Sequence, residues 1–337
     1  MTRAARAFWF NPPGPGEVRT VPLPARGPDE VEVRTLFSGV SRGTETLVFR
    51  GAVPVSQHEL MRAPFQEGGF PGPVKYGYLN VGVVEDGPPE LAGRTVFTLY
   101  PHQTRFVVPA SAVTPVPDAV PPGRAILAGT VETAVNALWD AAPLLGDRVA
   151  VVGGGMVGCA VAALLARFPA VRAQLVDVDP ARAAVAAALD VGFALPGDAT
   201  DGCDLVVHTS GTDAGLARAL ELVAPEGEVL ELSWYGDRRV SVPLGEFFHS
   251  RRLTIRGSQV GMVSPARRSQ RSFGDRLALA LELLADPVFD TLITGECVFE
   301  DLPSVMPGLA SGAIPALCHR VAYPEESSCS ASPSATT

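Results

Sequence analysis

One stretch constrains this chain more than any other: Val149-Ala150-Val151-Val152 runs directly into Gly153-Gly154-Gly155-Met156-Val157-Gly158. The β-branched run reads as a buried strand, and the glycines after it read as a turn. An Ala/Leu-rich helical segment follows until Pro169. A second apolar run then ends in Asp177, which lies 24 residues after Gly153 and 19 after Gly158. In a chain with 34 glycines a bare G-x-G-x-x-G says little; strand, turn, helix, strand and acid in this order say far more. Gly153 permits a tight turn and Gly155 lets the backbone approach a pyrophosphate. Gly158 allows close helix–strand packing, and the helix N-terminus at Met156 and Val157 offers free N–H groups and a positive dipole end to phosphates. Asp177 is placed to take the adenosine ribose hydroxyls. A carboxylate there bonds a free 2′-hydroxyl and repels a 2′-phosphate, so NAD(H) is favoured over NADP(H).

At 337 residues the chain suits two domains. A net charge of −9 argues against nucleic acid or an anionic membrane surface as a partner. No apolar stretch reaches membrane length. The first ten residues are cut off by Asn11-Pro12-Pro13-Gly14 before a signal-peptide core can form, which points to the cytoplasm. The five cysteines are scattered without a C-x-x-C pair, so neither a disulfide framework nor a cysteine-based zinc site is visible. Cys159 reads as a small core hydrophobe.

Residues 1–117 are short β-rich runs broken by Pro and Gly, the mark of a mostly antiparallel, barrel-like domain. Residues 50–73 read as a loop able to line a cleft. From 118 to 289 strands alternate with helices, giving a doubly wound α/β sheet whose strands are expected at 149–152, 173–178, 192–195, 204–209, 228–234 and 253–258. A single helix over 123–142 is expected to join the two domains. Residues 290–323 return to β-like pieces that rejoin the first domain, and 324–337 form a polar tail expected to be disordered.

This order of parts resembles the medium-chain dehydrogenase/reductase superfamily over nearly the whole chain up to Tyr323. The matching landmarks are Ser38-Gly39-Val40-Ser41-Arg42-Gly43-Thr44-Glu45, Gly77 to Glu85, the glycine fingerprint with Asp177, Thr209-Ser210-Gly211, and Leu253 to Ser258. Pro73-Val74-Lys75-Tyr76-Gly77-Tyr78 is most similar to the branch with bacteriochlorophyllide-type dehydrogenases. The resemblance implies a Rossmann domain, a GroES-like β domain, oxidation of alcohols or reduction of carbonyls or activated double bonds, and a homodimer. It also exposes a departure. The zinc ligands of the family's alcohol dehydrogenases fall here on Ser41, Tyr78 and about Gly129, which cannot form the thiolate and imidazole set that zinc requires. Glu132 lies near the third ligand position, shifted by about three residues. No zinc is therefore expected.

Without the metal, hydrogen-bond donors in a dry cleft must polarise the substrate oxygen. Tyr78 and Ser41 are the first candidates, Thr44 follows as a relay, and Lys75, the sole lysine, can add positive charge. The resemblance further implies cofactor contacts from Thr133, Ser210, Ser233, Trp234, Ser258 and Val260. His58, His102, His208 and His249 read as structural or solvated rather than catalytic, with His249, beside Phe247-Phe248, the most interesting. The leading expectation is a zinc-independent NAD(H)-dependent oxidoreductase acting on a hydroxyl or carbonyl of a small metabolite. Reduction of an activated C=C bond, and a non-catalytic nucleotide-binding redox sensor, are the alternatives.

Overall fold

In the computed structural model, which describes residues 3–324, the alternating segment folds into a six-stranded, wholly parallel sheet. Its strands are β1 (Arg148–Val152), β2 (Arg172–Val176), β3 (Gly192–Ala194), β4 (Cys203–His208), β5 (Val223–Glu231) and β6 (Thr254–Gly257). They lie in the order β3-β2-β1-β4-β5-β6. The order reverses between β1 and β4, and a crevice opens there outside the carboxyl ends of the strands.

Alternation along β1 explains the layers. Val149 and Val151 face a core built with the helices Ala128–Ala141, Met156–Leu165 and Phe273–Leu283, while Ala150 and Val152 face the helix Asp213–Leu222 on the other side. No residue from Val149 to Val152 is more than 4% exposed, as expected for a strand covered on both faces.

The remaining strands form two further sheets. A seven-stranded sheet runs Ile293–Val298, Cys318–Ala322, Glu30–Ser41, Asn80–Asp86, Thr95–Thr98 and Val113–Pro115, with Arg105–Pro109 also paired to Glu30–Ser41. All its pairings are antiparallel except the one between Ile293–Val298 and Cys318–Ala322. A four-stranded sheet joins Gly14–Pro22, Ala4–Asn11, Val74–Lys75 and Glu67–Gly68. The mixed architecture, a Rossmann sheet beside a GroES-like β domain, is the one expected from the sequence.

Several boundaries moved. The joining helix is two helices, Pro122–Ala125 and Ala128–Ala141. Between them Leu127 N–H donates to Arg124 O and Thr130 N–H to Leu127 O, three-residue bonds that tighten and redirect the chain. β5 stops at Glu231 and not at Trp234, because Ser233 N–H turns to the Glu231 carboxylate at 2.7 Å. Elements not anticipated include the strand Gly14–Pro22 and the helices Arg42–Phe49 and Leu302–Ser311. Gly and Pro in the first, and Pro303 and Pro307 in the last, disguise them. Among the described residues no helix is long and apolar enough to cross a membrane. The expectation of a disordered tail lies, from residue 325 onward, outside the described residues.

Candidate active site

The crevice is a cavity of about 700 Å³. Its floor is the β1 turn. Gly153 has φ +113, and a Cβ there would lie 2.5 Å from Ser210 N. A Cβ on Gly158 would overlap the Gly153 carbonyl oxygen and sit 2.6 Å from Thr209 Oγ1. Gly155 differs, since a Cβ there would meet nothing within 4 Å. Its bare face opens on the cavity beside Met156 and Val157, at the start of the helix Met156–Leu165. The three glycines thus stand at the turn, on an open face and in close packing.

At the end of β2, Asp177 lines the cavity and both carboxylate oxygens are held by backbone, Oδ2 by Gly154 N–H at 2.6 Å and Oδ1 by Asp179 N–H at 2.8 Å. Ser210 and Ser233 line the wall beyond β4 and β5, with Trp234 beside them. They rest on a buried hub. His208 Nδ1 meets Glu231 Oε2 at 2.7 Å and its Nε2 meets Ser210 Oγ at 2.6 Å, while the Tyr235 hydroxyl donates to the same Glu231 oxygen at 2.9 Å. Burial pushes the Glu231 carboxyl up, but its bonds to His208 and to Ser233 outweigh that and leave it below its ordinary value. Gly215 is needed here because a Cβ would strike the Ser210 hydroxyl and come 2.9 Å from His208 Nε2.

The opposite wall comes from the seven-stranded sheet. Strand Glu30–Ser41 delivers Ser41 to the cavity in register with Cys318, and the helix Arg42–Phe49 starts there, so Ser41, Arg42, Gly43 and Thr44 all line it. Leu317 and Ala316 add apolar surface. Tyr78 does not line the cavity; it stands behind this rim, half-buried, where the side chains of Ser41 and Thr44 act on its hydroxyl. Burial pushes its pKa up to about 12; the two hydroxyls oppose the rise and the nearby Glu45 carboxylate adds to it. Tyr78 is therefore a protonated donor at neutral pH.

Other expected site residues stand elsewhere. Lys75 is buried in the four-stranded sheet, where Glu67 and Gln103 hold its ammonium beside the Tyr100 ring, so it does not line the cavity. A buried ammonium that satisfies itself with local acceptors has no charge to offer a substrate across the fold. Thr133 bonds back to Gly129 O at 2.9 Å, as helical threonines do. Ser258 donates to Asp140 Oδ2 at 2.6 Å, and the Val260 carbonyl accepts from Arg276. None of these three lines the cavity. Among the described residues, none from 50–73 lines it either. His249 is exposed, and His58 bonds Val53 O at 3.1 Å.

Arg42 was overlooked as a site residue. It lines the cavity, and among the described residues no hydrogen bond or ion pair fixes its guanidinium. Burial and then the neighbouring Arg182 lower its pKa, against the pull of Asp177. Such a cation is a ready partner for a bound anion. The helix that carries it was not foreseen, and the one signal on hand was its place in the Ser41 to Glu45 run already expected near the cleft.

The remaining acids and thiols near the cleft are committed. Glu132 is paired with buried Arg276 at 3.0 Å. Glu45 bonds His102, also buried, at 2.9 Å. The Cys318 thiol is pushed up to about 12 by burial, with Glu45 adding to the effect, so it stays protonated.

No protein-family model matches the chain, and no curated protein is similar to it in sequence. Solved structures are similar in fold. 2R,3R-butanediol dehydrogenase from Bacillus subtilis superposes with a TM-score of 0.75 at 17% identity, over 94% of this chain and 99% of that one. L-idonate 5-dehydrogenase from Escherichia coli gives 0.76 at 16% identity, over 96% and 99%. The alcohol dehydrogenase TADH from Thermus sp. ATN1 gives 0.72 at 21% identity, over 95% and 100%. The chain shares the fold of these dehydrogenases over 94–96% of its length.

Proposed function

We propose that the chain is an oxidoreductase that moves hydride between a nicotinamide dinucleotide and the hydroxyl or carbonyl carbon of a small organic metabolite, with NAD(H) preferred over NADP(H). One observation carries the reading: a single cavity joins the glycine cradle and Asp177 to the hydroxyls of Ser41 and Thr44, with Tyr78 standing behind them. The fold shared with the dehydrogenases above supports it by analogy.

The cradle fits a dinucleotide. Gly155 leaves its face open, the N-terminus of the helix Met156–Leu165 presents free N–H groups, and Arg42 offers a cation for the diphosphate. Asp177 would take the ribose hydroxyls, and its fixed, doubly bonded carboxylate favours a 2′-hydroxyl over a 2′-phosphate. When bound, the nicotinamide supplies the hydride chemistry. The chain must then manage the substrate oxygen and its proton. The Ser41 and Thr44 hydroxyls, which line the cavity, donate to that oxygen and stabilise the charge it gains, and protonated Tyr78 behind them is the next donor in line. In the oxidative direction the same hydroxyl cluster receives the alcohol proton and passes it toward the cavity mouth.

A catalytic zinc does not fit the donors present. The rim offers hydroxyls, and Glu45 and Glu132 are taken by His102 and Arg276. Among the described residues no three His, Cys, Asp or Glu side chains gather into a metal-holding group. Polarisation of the oxygen is accordingly assigned to hydrogen bonds.

The test is calorimetric titration with NADH and NADPH, followed by product analysis on panels of alcohols, ketones and enones. Tighter uptake of NADH, with carbonyl and hydroxyl interconverted, is the expected result. Uptake of neither dinucleotide would end the reading, and saturation of an enone's C=C bond would move the chemistry to the other class.

A further inference from the structure

A polar relay opens on the cavity wall opposite the rim, and the hydride-transfer scheme does not use it. At its inner end Glu231 Oε2 meets His208 Nδ1 at 2.7 Å and the Tyr235 hydroxyl at 2.9 Å, while Oε1 accepts from Ser233 N–H at 2.7 Å. At its outer end His208 Nε2 lies 2.6 Å from Ser210 Oγ, and Ser210 lines the cavity. The His208 ring is fully buried. The Glu231 carboxylate can only accept, so Nδ1 carries the ring proton, and in the neutral ring Nε2 is bare. The Ser210 O–H therefore points at Nε2. Its oxygen takes the Thr212 N–H at 3.2 Å and the Thr212 hydroxyl at 2.9 Å, both as donors. Carboxylate, imidazole and hydroxyl in this order turn a serine into a nucleophile at neutral pH.

The fold displays this serine. Ser210 stands where β4 turns into the helix Asp213–Leu222, and Gly211, at φ +63, bends the chain there. A serine on a tight strand-to-helix turn is presented at the carboxyl end of its sheet. Gly215 lacks the Cβ that would strike the Ser210 hydroxyl and come 2.9 Å from His208 Nε2, so hydroxyl and ring can close on each other. Among the described residues no acceptor takes the Ser210 N–H, which leaves a donor beside the nucleophile for a developing oxyanion. Leu232 and Trp234 give the adjoining wall apolar surface.

We infer that the chain hydrolyses small carboxylic esters, with Ser210 as nucleophile, His208 as its general base and Glu231 as the residue that positions the base. Ser210 Oγ attacks the acyl carbon, and its proton passes to His208 Nε2. The bond from that carbon to the alcohol oxygen breaks as Nε2 hands the proton to the leaving alkoxide. Water then repeats the step on the acyl-serine, gives one proton to Nε2, and frees the carboxylic acid as Ser210 takes that proton back. No electrons are exchanged, and water is the one co-reactant. This activity stands apart from the proposed hydride transfer and needs no dinucleotide.

The test is p-nitrophenyl acetate hydrolysis by the whole chain without dinucleotide. The parent should release p-nitrophenolate faster than buffer, and Ser210→Ala, which removes one hydroxyl from a half-buried site, should not. His208→Gln should be slower by about 10²–10⁴, the usual worth of a positioned base. Glu231→Gln should lower kcat at least about tenfold with KM unchanged, because the ring is then free to take the wrong tautomer, and Glu231→Asp should recover part of the loss. Should the His208 and Glu231 variants not fold, a fluorophosphonate on the parent replaces them, and its adduct should map to Ser210. Release no faster than buffer, release that survives Ser210→Ala, a folded His208→Gln or Glu231→Gln at the parent rate, or an adduct that misses Ser210 would overturn the inference. Calorimetry with NADH is read separately, so an inert ester assay beside dinucleotide uptake strikes this inference alone, and the reverse strikes only the proposed function.

Discussion

The second and third glycines of the fingerprint should fail in different ways when given a methyl group. In Gly158→Ala the new Cβ overlaps the Gly153 carbonyl oxygen and sits 2.6 Å from Thr209 Oγ1. The Thr209 hydroxyl itself donates to Gly153 O at 2.7 Å, so neither neighbour can move without breaking that bond. Overpacking against backbone in a tight core belongs at the upper end of its usual range, about 3 kcal/mol. For a domain of this size that is a Tm lower by roughly 6–12 °C. In Gly155→Ala the Cβ meets nothing within 4 Å, so Tm should stay within about 1 °C of the parent. The methyl then stands in the space a diphosphate needs, and NADH affinity should fall at least about tenfold, or 1.4 kcal/mol. Thermal unfolding without ligand and calorimetric titration with NADH read the two effects separately. A Gly155→Ala protein that binds NADH like the parent, or a Gly158→Ala protein that melts like the parent, would refute the assignment of these roles.

Other substitutions give equally definite outcomes. Asp177→Ala should cost roughly 1.5–3 kcal/mol of NAD affinity, as for hydrogen bonds to a charged group, and should narrow the gap between NAD and NADP in paired titrations. Ser41→Ala should lower kcat by about 10²–10³, the usual loss for an oxyanion donor, with dinucleotide Kd unchanged. Because Tyr78 ionises only near pH 12, it is a donor below that value and is lost as pH rises through it. The parent's reductive kcat should therefore show no Tyr78-dependent decline between pH 7 and 10. Glu132→Ala leaves the Arg276 guanidinium buried and without its carboxylate, and should cost about 3–5 kcal/mol in denaturant unfolding.

What the sequence disclosed follows from how local the governing physics is. β1 and its turn were readable because the strand is apolar on both faces and the glycines and Asp177 all fall within one βαβ unit. The hydroxyl cluster was reachable only through resemblance, since Ser41 and Tyr78 are far apart in sequence and meet through the register of separate strands. Lys75 misled because its acceptors, Glu67 and Gln103, arrive from other strands and loops that no local pattern announces. Thr133, Ser258 and Val260 were placed in the correct neighbourhood, but their polar groups turn to Gly129, Asp140 and Arg276. Arg42 and the Glu45–His102 pair went unnoticed because the helix that carries Arg42 and Glu45 is short and was not foreseen.

Metal content and turnover measured on one chelator-washed sample test the central claim most directly. Hydride transfer from deuterium-labelled NADH to a carbonyl substrate, followed by mass spectrometry, should proceed at the untreated rate with zinc far below one atom per chain. Activity that disappears on chelation and returns on adding zinc would contradict a cleft in which hydroxyl groups alone polarise the substrate.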